Sequence, residues 1–222
     1  MKNIKTTLSE FLNEWWYHGT PDAREIEKES GFTDRNITVD YVTDPIKFNE
    51  LQQDMTTARE NDNMTLYREL INKVSDFKAD YTYKKPVFLS DSYQVAKTYA
   101  NPQRAFDYQN SIEKVYEVDV KCNKIVEIVA IGERFRFINV KFVKKRFVDA
   151  GVQEEEIDKL ISMFNYYVSE NSGIKTDVIG AIGNWLGFDC IDVVGVLDSY
   201  HGGKIKSTVR MVLNPSDVKI IK

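Results

Sequence analysis

The sequence predicts an α+β fold in which a β-rich core carries α-helical insertions. Three observations predict it. Short apolar runs with strand-like alternation occur at 87–90, 115–120, 188–194 and 208–221. Two long polar stretches, at about 33–85 and 140–180, have helical periodicity instead. The 42% apolar content of the 222 residues suffices for a sizeable core, so we expect one domain spanning 1–222.

The first part of the chain predicts two helices. A capping-box spacing and apolar positions at helical spacing predict one helix up to Trp16. Thr20 is suited to cap a second helix, at 21–31, with a proline in its first position and a glycine at its end. The pair His18-Gly19 is therefore expected between two structured pieces.

The middle of the chain predicts a helical insert followed by a strand and a helix. The stretch at 33–85 lacks the alternation of a sheet, and its helical patterns lie around 47–59 and 66–77. The apolar run 87–90 predicts a strand that ends in Ser90, a residue suited to cap the helix that follows.

The carboxyl-terminal half predicts strands on both sides of a second helical stretch. The runs at 115–120 and 124–131 predict two strands that pair around Cys122-Asn123. From about 140 to 167 the pattern is helical and is broken at Gly151, before a second helix that opens at Gln153. The β-rich end predicts strands at 188–194, 208–213 and 218–221.

Charge and hydropathy exclude several classes of function. The 30 basic and 34 acidic residues leave a net charge of -4, which lacks the basic footprint of a nucleic-acid-binding protein. This balance favours protein over nucleic acid as a macromolecular partner. The polar amino terminus does not resemble a secretory signal, and no apolar run approaches the roughly 18 residues of a membrane span. We therefore expect no membrane partner.

The positions of the cysteines and histidines predict neither disulfide bonds nor a metal site. Cys122 and Cys190 are far apart in the chain and form no CxxC, which matches neither a disulfide framework nor a zinc site. A reducing compartment, the cytoplasm, is the resulting expectation. The two histidines lack metal-ligand spacing, so no metal is expected.

Three pieces of the chain resemble one family in their order and spacing. They are Tyr17-His18-Gly19-Thr20 before a helix, Val87-Phe88-Leu89-Ser90-Asp91 before Tyr99-Ala100, and Gly187-Phe188-Asp189 with the strand from Val209 to Val218. Together they resemble the diphtheria-toxin and poly(ADP-ribose) polymerase branch of the ADP-ribosyltransferases. The resemblance covers about half of the chain. It implies a split β-sheet core and NAD as substrate.

The resemblance implies a role for each matching residue. His18 would hydrogen-bond the ribose of the adenosine side, and the backbone of Gly19, which has no Cβ, would approach the nicotinamide amide. Thr20 would lie beside them in the NAD site. Ser90 would offer a hydroxyl near the same groove, or cap its helix, and Tyr99 would stack on the nicotinamide ring.

Two positions depart from the family's pattern. The second position of the His-Tyr-Glu triad is Phe88, which keeps the ring and loses the hydroxyl. The third position, usually an acid that stabilises oxocarbenium-like charge, aligns with Val209, which carries no charge. Either the alignment is shifted, another carboxylate reaches the site, or transfer is weak or absent, and Asp198, in the loop before that strand, is the acid to test first. Arg210, beside the third position, would face the pyrophosphate or an acidic substrate, because its guanidinium suits phosphate and carboxylate oxygens.

The function that the resemblance implies is mono-ADP-ribosyl transfer from NAD to a macromolecule, with nicotinamide as the leaving group. A phage or bacterial effector acting in a host cytoplasm is the setting that the analogy favours. Two alternatives stay open. One is a catalytically inactive binding, inhibitor or virion protein, and the other is an NAD glycohydrolase.

Overall fold

The computed structural model describes residues 15–29, 31–101, 112–129, 137–166, 173–198 and 205–222, which form an α+β arrangement. The chain divides into two compact units. The first, here called the sheet unit, comprises Met1–Arg35, Lys85–Phe135 and Asp189–Lys222. The second, here called the helical unit, comprises Asn36–Lys84 and Arg136–Phe188, two stretches close to those at 33–85 and 140–180 with helical periodicity.

Seven strands form the sheet of the sheet unit. They are β1 Trp16–Thr20, β4 Val87–Ser90, β5 Lys114–Val120, β6 Ile125–Val129, β9 Cys190–Asp198, β10 Ile205–Val212 and β11 Val218–Ile220. Their spatial order is β11-β5-β1-β4-β10-β9-β6, and every neighbouring pair is antiparallel except β6 with β9. The helices are α1 Arg24–Glu29, α4 Tyr93–Tyr99 and a 3-10 helix at Pro215–Asp217. The strands predicted at 87–90, 115–120, 208–213 and 218–221 and the helix after Ser90 are confirmed.

Both faces of this sheet are covered. On one face Leu89, Tyr116 and Val212 pack in a core cluster to which Ile26 of α1 and Phe32 contribute. Helix α4 packs against β1 on the other face, where the rings of Tyr17 and Tyr93 are 5.5 Å apart. Along β10, residues 209 to 213 are all buried.

The helical unit contains five helices and two small sheets among the described residues. The helices are α2 Pro45–Glu60, α3 Met64–Lys73, α5 Val140–Asp149, α6 Glu154–Phe164 and α7 Thr176–Trp185, with a 3-10 helix at Val74–Phe77. The sheets pair β2 Asn36–Val42 with β3 Lys78–Lys84, and β7 Phe137–Asn139 with β8 Gly173–Lys175. Across the described ranges, no helix is both long and apolar enough to cross a membrane.

The helices predicted in these two stretches are confirmed, including the break at Gly151, whose positive φ of 94° suits glycine. The expectation of a stretch at 33–85 without strands is wrong, because β2 and β3 form a ladder of seven facing pairs. The exposed face of that ladder carries Thr38 opposite Thr82 and Asp40 opposite Asp80. Residues 36–42 and 78–84 alternate polar and apolar positions, which is the pattern of a half-buried strand, so the sequence carried the signal for both strands.

The beginning of the described chain also differs from the prediction. Trp16 starts β1 rather than ending a helix, and most of that predicted helix lies outside the described residues. The pair His18-Gly19 lies within β1 rather than in a connection. Helix α1 begins at Arg24, after a turn in which the Thr20 hydroxyl donates to the carbonyl of Asp22 (2.8 Å).

The strands β5 and β6 do not pair with each other, contrary to the prediction, because β6 pairs in parallel with β9. This pairing brings Cys122 next to Cys190, and the two form a disulfide with Cα atoms 6.0 Å apart. The expectation of no disulfide is therefore wrong. Two cysteines far apart in the chain lie side by side when their strands are brought together by a parallel crossover. The expectation of a reducing compartment depended on the absence of a disulfide, so it no longer follows.

Candidate functional site

The sheet of the sheet unit consists of two blocks that meet at a single pair of residues. Within the block β11-β5-β1 and within the block β4-β10-β9-β6, every two neighbouring strands share at least three facing pairs. Between the blocks, the ladder of β1 and β4 has one facing pair, Tyr17 and Ser90. The two strands thus separate immediately beyond this pair, at the position of His18.

The imidazole of His18 bridges the separation between the blocks. Its Nδ1 lies 2.9 Å from the backbone carbonyl of Phe88, and a carbonyl only accepts hydrogen bonds, so Nδ1 carries the proton. The ring also packs edge-to-face on Phe32, with centroids 4.7 Å apart. In this tautomer Nε2 has a lone pair, and it has no hydrogen-bond partner among the described residues. His18 is therefore able to accept a hydrogen bond from a ligand hydroxyl.

Burial lowers the pKa of His18 below its usual value, and the hydrogen bond to the Phe88 carbonyl offsets only part of this effect. The ring is consequently neutral at pH 7. A neutral ring keeps the Nε2 lone pair as an acceptor, whereas protonation would turn this atom into a donor. The burial thus maintains the form that receives a hydroxyl.

Gly19 is required by the packing of α4. A Cβ at Gly19 would lie 1.7 Å from the carbonyl oxygen of Ala96 and 3.1 Å from the amide nitrogen of Ala100. The helix backbone therefore passes directly over this strand position. Tyr99, the residue expected to stack on nicotinamide, is half-buried at the last position of the same helix. Tyr99 therefore lies on the helix that covers β1, the strand of His18 and Gly19.

The three triad positions lie on three adjacent strands, β1, β4 and β10. Ser90 faces Tyr17 on one side and Val209 on the other, while Phe88 faces Met211. The predicted alignment therefore puts Val209 directly beside the point where the blocks meet. Its side chain is 6% exposed and cannot interact electrostatically with a developing cation.

Ser90 does not cap the helix that follows it, contrary to one of the two expectations for it. The N-cap of α4 is Ser92, whose Oγ accepts from the amide of Val95. The Oγ of Ser90 instead accepts from the amide of Ser92 (3.1 Å). This contact secures the turn after β4 and leaves the buried hydroxyl of Ser90 at the meeting point of the blocks.

Asp198 is too far from Val209 to take over the role of the missing acid. It faces Ile205 across the β9-β10 ladder, four residues along β10 from Val209. At about 3.3 Å per residue this is roughly 13 Å. Asp198 precedes β10 in the sequence, and this suggested that it lies near Val209, the third triad position. In the structure β9 is closest to Val209 at Val193, and its last residue, Asp198, lies farther along.

Arg210 has partners within the fold in place of a phosphate. Its Nε and Nη2 donate to the two carboxylate oxygens of Asp192 at 2.7 and 2.6 Å, and its guanidinium lies 4.1 Å from the ring centroid of Trp16. The Arg210 and Asp192 side chains are only 10% and 13% exposed. The guanidinium fork expected to face a pyrophosphate is thus occupied by Asp192.

Two further features beside the motif were not predicted. Tyr116 faces His18 across the β1-β5 ladder, is 3% exposed, and its hydroxyl has no hydrogen-bond partner among the described residues. A cavity of about 620 Å³ lies between α4 and β5, and its lining includes Lys97, Thr98 and Lys114. The alternating run at 115–120 predicted the strand, but no sequence pattern marks an unsatisfied hydroxyl.

Among the described residues, no group of three or more histidine, cysteine, aspartate or glutamate side chains is arranged to hold a metal ion. Comparison of the chain with protein-family models, with curated proteins and with solved structures finds no match. Any functional conclusion therefore depends on the residues described above.

Proposed function

We propose that this protein has an ADP-ribosyltransferase-like split sheet, binds NAD where the two blocks of the sheet separate, and transfers ADP-ribose to a macromolecule. The observation that carries the proposal is the junction itself. The blocks meet at one residue pair, and His18 there presents an unpartnered Nε2 acceptor. A gap between paired strands with a fixed acceptor suits a ribose hydroxyl.

Neighbouring features support NAD as the ligand. The hydroxyl of Tyr116, one strand from His18, is a buried group that lacks a partner, and such groups are costly unless a ligand or water satisfies them. The cavity between α4 and β5, on the face of the sheet that α4 covers, has a volume within the range of ligand sites. Its lining contains Lys97, whose positive charge suits a phosphate, and also Glu113 and Lys114, the latter paired with Glu27. Tyr99 provides an aromatic ring on the adjacent helix.

In the proposed reaction, the bond between C1′ of the ribose and the nicotinamide nitrogen breaks. The bonding electrons leave with nicotinamide, and a nucleophile of the target attacks C1′ and loses its proton. The protein contributes positioning and electrostatic stabilisation, without a covalent enzyme intermediate. A protein target is favoured by the charge balance of the chain.

The experiment compares wild-type protein with His18→Asn and His18→Gln in the presence of adenine-labelled NAD and a bacterial lysate. An asparagine amide is suited to replace Nδ1 as donor to the Phe88 carbonyl, but it removes Nε2. We expect His18→Asn to fold and to bind NAD about tenfold more weakly, the effect of one lost hydrogen bond. Glutamine, whose amide reaches the position of Nε2, should retain more affinity than asparagine.

The products distinguish the alternatives. Nicotinamide release with label on macromolecules supports a transferase, whereas free ADP-ribose without attachment would identify a glycohydrolase. The buried Val209 specifically favours a second candidate, an inactive binding module. That candidate predicts no nicotinamide release at all. Absence of NAD binding measured by calorimetry would contradict the proposal as a whole.

A second prediction concerns Tyr116, whose hydroxyl lacks a partner. Tyr116→Phe should leave the free energy of unfolding unchanged or raise it by about 1 kcal/mol, because it removes an unsatisfied buried polar group. It should also weaken NAD binding by up to about tenfold, because a hydrogen bond to the ligand is lost. Chemical denaturation and calorimetry measure the two effects. An unchanged Kd for NAD would place this hydroxyl outside the site.

A further inference from the structure

A carboxylate that is not among the three triad positions directly follows β4. Asp91 directly follows Ser90 and is exposed. Its backbone amide donates to the carbonyl of Thr208 (3.2 Å), and its Oδ1 accepts from the amide of Thr208 (2.9 Å). Asp91 is therefore held against β10 by two hydrogen bonds. Thr208 is the neighbour of Val209, so the carboxylate is fixed next to the third triad position.

The pairing of β10 with β9 is irregular at the same point. Its register shifts between Ser207 and Val209, where the single residue Thr208 of β10 stands against residues 194 and 195 of β9. The amide and the carbonyl of Thr208 both point to the β4 side, where Asp91 contacts them. Bulges of this kind are frequent beside active sites, where they redirect side chains. Here the irregularity lies at Thr208, the residue that holds the Asp91 carboxylate.

One oxygen of Asp91 is available for a ligand. Oδ1 is engaged by Thr208, while Oδ2 has no partner among the described residues. Three other acids in the described part of the sheet unit are committed or distant. Asp192 is bound by Arg210, and Asp189 accepts two backbone amides through its Oδ2. Glu117 faces Tyr17, three strand spacings from Val209, or roughly 14 Å.

We propose that Asp91 is the catalytic carboxylate that acts on the ribose of NAD, in the role left open by Val209. This inference rests on the proposed function. Oδ2 accepts a hydrogen bond from a ribose hydroxyl and stabilises the positive charge that develops at C1′ as the bond to nicotinamide breaks. Nicotinamide takes the bonding electrons, the target nucleophile forms the new bond to C1′, and its proton passes to solvent. No redox partner is required.

The test variant is Asp91→Asn. The asparagine carbonyl is able to keep the bond from the Thr208 amide, so only the charge is removed. Nicotinamide release and NAD affinity are measured for the wild type, for Asp91→Asn and for a matched control, Glu117→Gln, which removes a charge from the same sheet. We expect Asp91→Asn to lower turnover on the order of 100-fold. The Kd for NAD should change less than about threefold, and Glu117→Gln should behave like the wild type.

Each of the other possible results overturns either the assignment of Asp91 or the proposed function. Turnover of Asp91→Asn equal to that of the wild type overturns the assignment of Asp91 and leaves the proposed function intact. A loss in Glu117→Gln alone overturns it in favour of Glu117. A loss of NAD affinity that accounts for the whole loss of turnover overturns the catalytic role and makes Asp91 a binding residue. If the wild type releases no nicotinamide, the proposed function fails, and the assignment of Asp91 fails with it.

Discussion

Gly19→Ala is expected to destabilise the sheet unit severely. The added Cβ would lie 1.7 Å from the Ala96 carbonyl oxygen and 2.6 Å from its carbonyl carbon. These are backbone atoms of α4, so no side-chain rotation relieves the overlap, and the helix must move away from β1. Overpacking usually costs about 1–3 kcal/mol, and an overlap with backbone of this size should reach or exceed the upper end. Chemical denaturation measures the change.

The matched control is Gly31→Ala. A Cβ at Gly31 has no neighbour within 4 Å, so the same substitution there should leave the free energy of unfolding nearly unchanged. Because Tyr99 lies on the helix that must move, Gly19→Ala should also abolish NAD binding where the protein remains folded. A Gly19→Ala protein with wild-type stability would show that α4 does not pack on β1 as described.

Arg210→Met is expected to lower the free energy of unfolding by about 3–5 kcal/mol, because it leaves the carboxylate of Asp192 without its partner. The stacking of the guanidinium on Trp16 is lost as well. The double variant Arg210→Met/Asp192→Leu should be more stable than Arg210→Met alone, since it removes the unpaired charge together with its partner. Thermal and chemical denaturation of the three proteins measure these differences.

Lys114→Met is the control for Arg210→Met. Its ion pair with Glu27, at 2.8 Å, is exposed, and exposed pairs contribute little to stability. Equal losses in both variants would contradict the structural role of the buried pair. If Arg210→Met instead keeps full stability and loses only NAD affinity, Arg210 contacts the pyrophosphate, as the resemblance to the ADP-ribosyltransferases implies.

Local patterns predicted those elements whose signals lie within a few residues. The apolar run at Val87 and the alternation at 115–120 identify strands because each strand shows its own periodicity. Gly151 and the acidic residues from Glu154 likewise mark where one helix ends and the next begins, since caps are local. The strand at 36–42 also alternates polar and apolar residues, so its periodicity was present in the sequence, and only its partner, about forty residues away, was not.

The contents of the candidate site depended on pairing between distant segments. By itself, the sequence determined that His18 and Gly19 precede a helix, that Phe88 lies within a short apolar run, and that Val209 occupies a strand. Only the tertiary structure decided that β1 and β4 meet at one pair, that Arg210 is bound by Asp192, and that Asp91 lies against Thr208. Strand register and side-chain partners are set by contacts between residues far apart in the chain, which no local periodicity encodes.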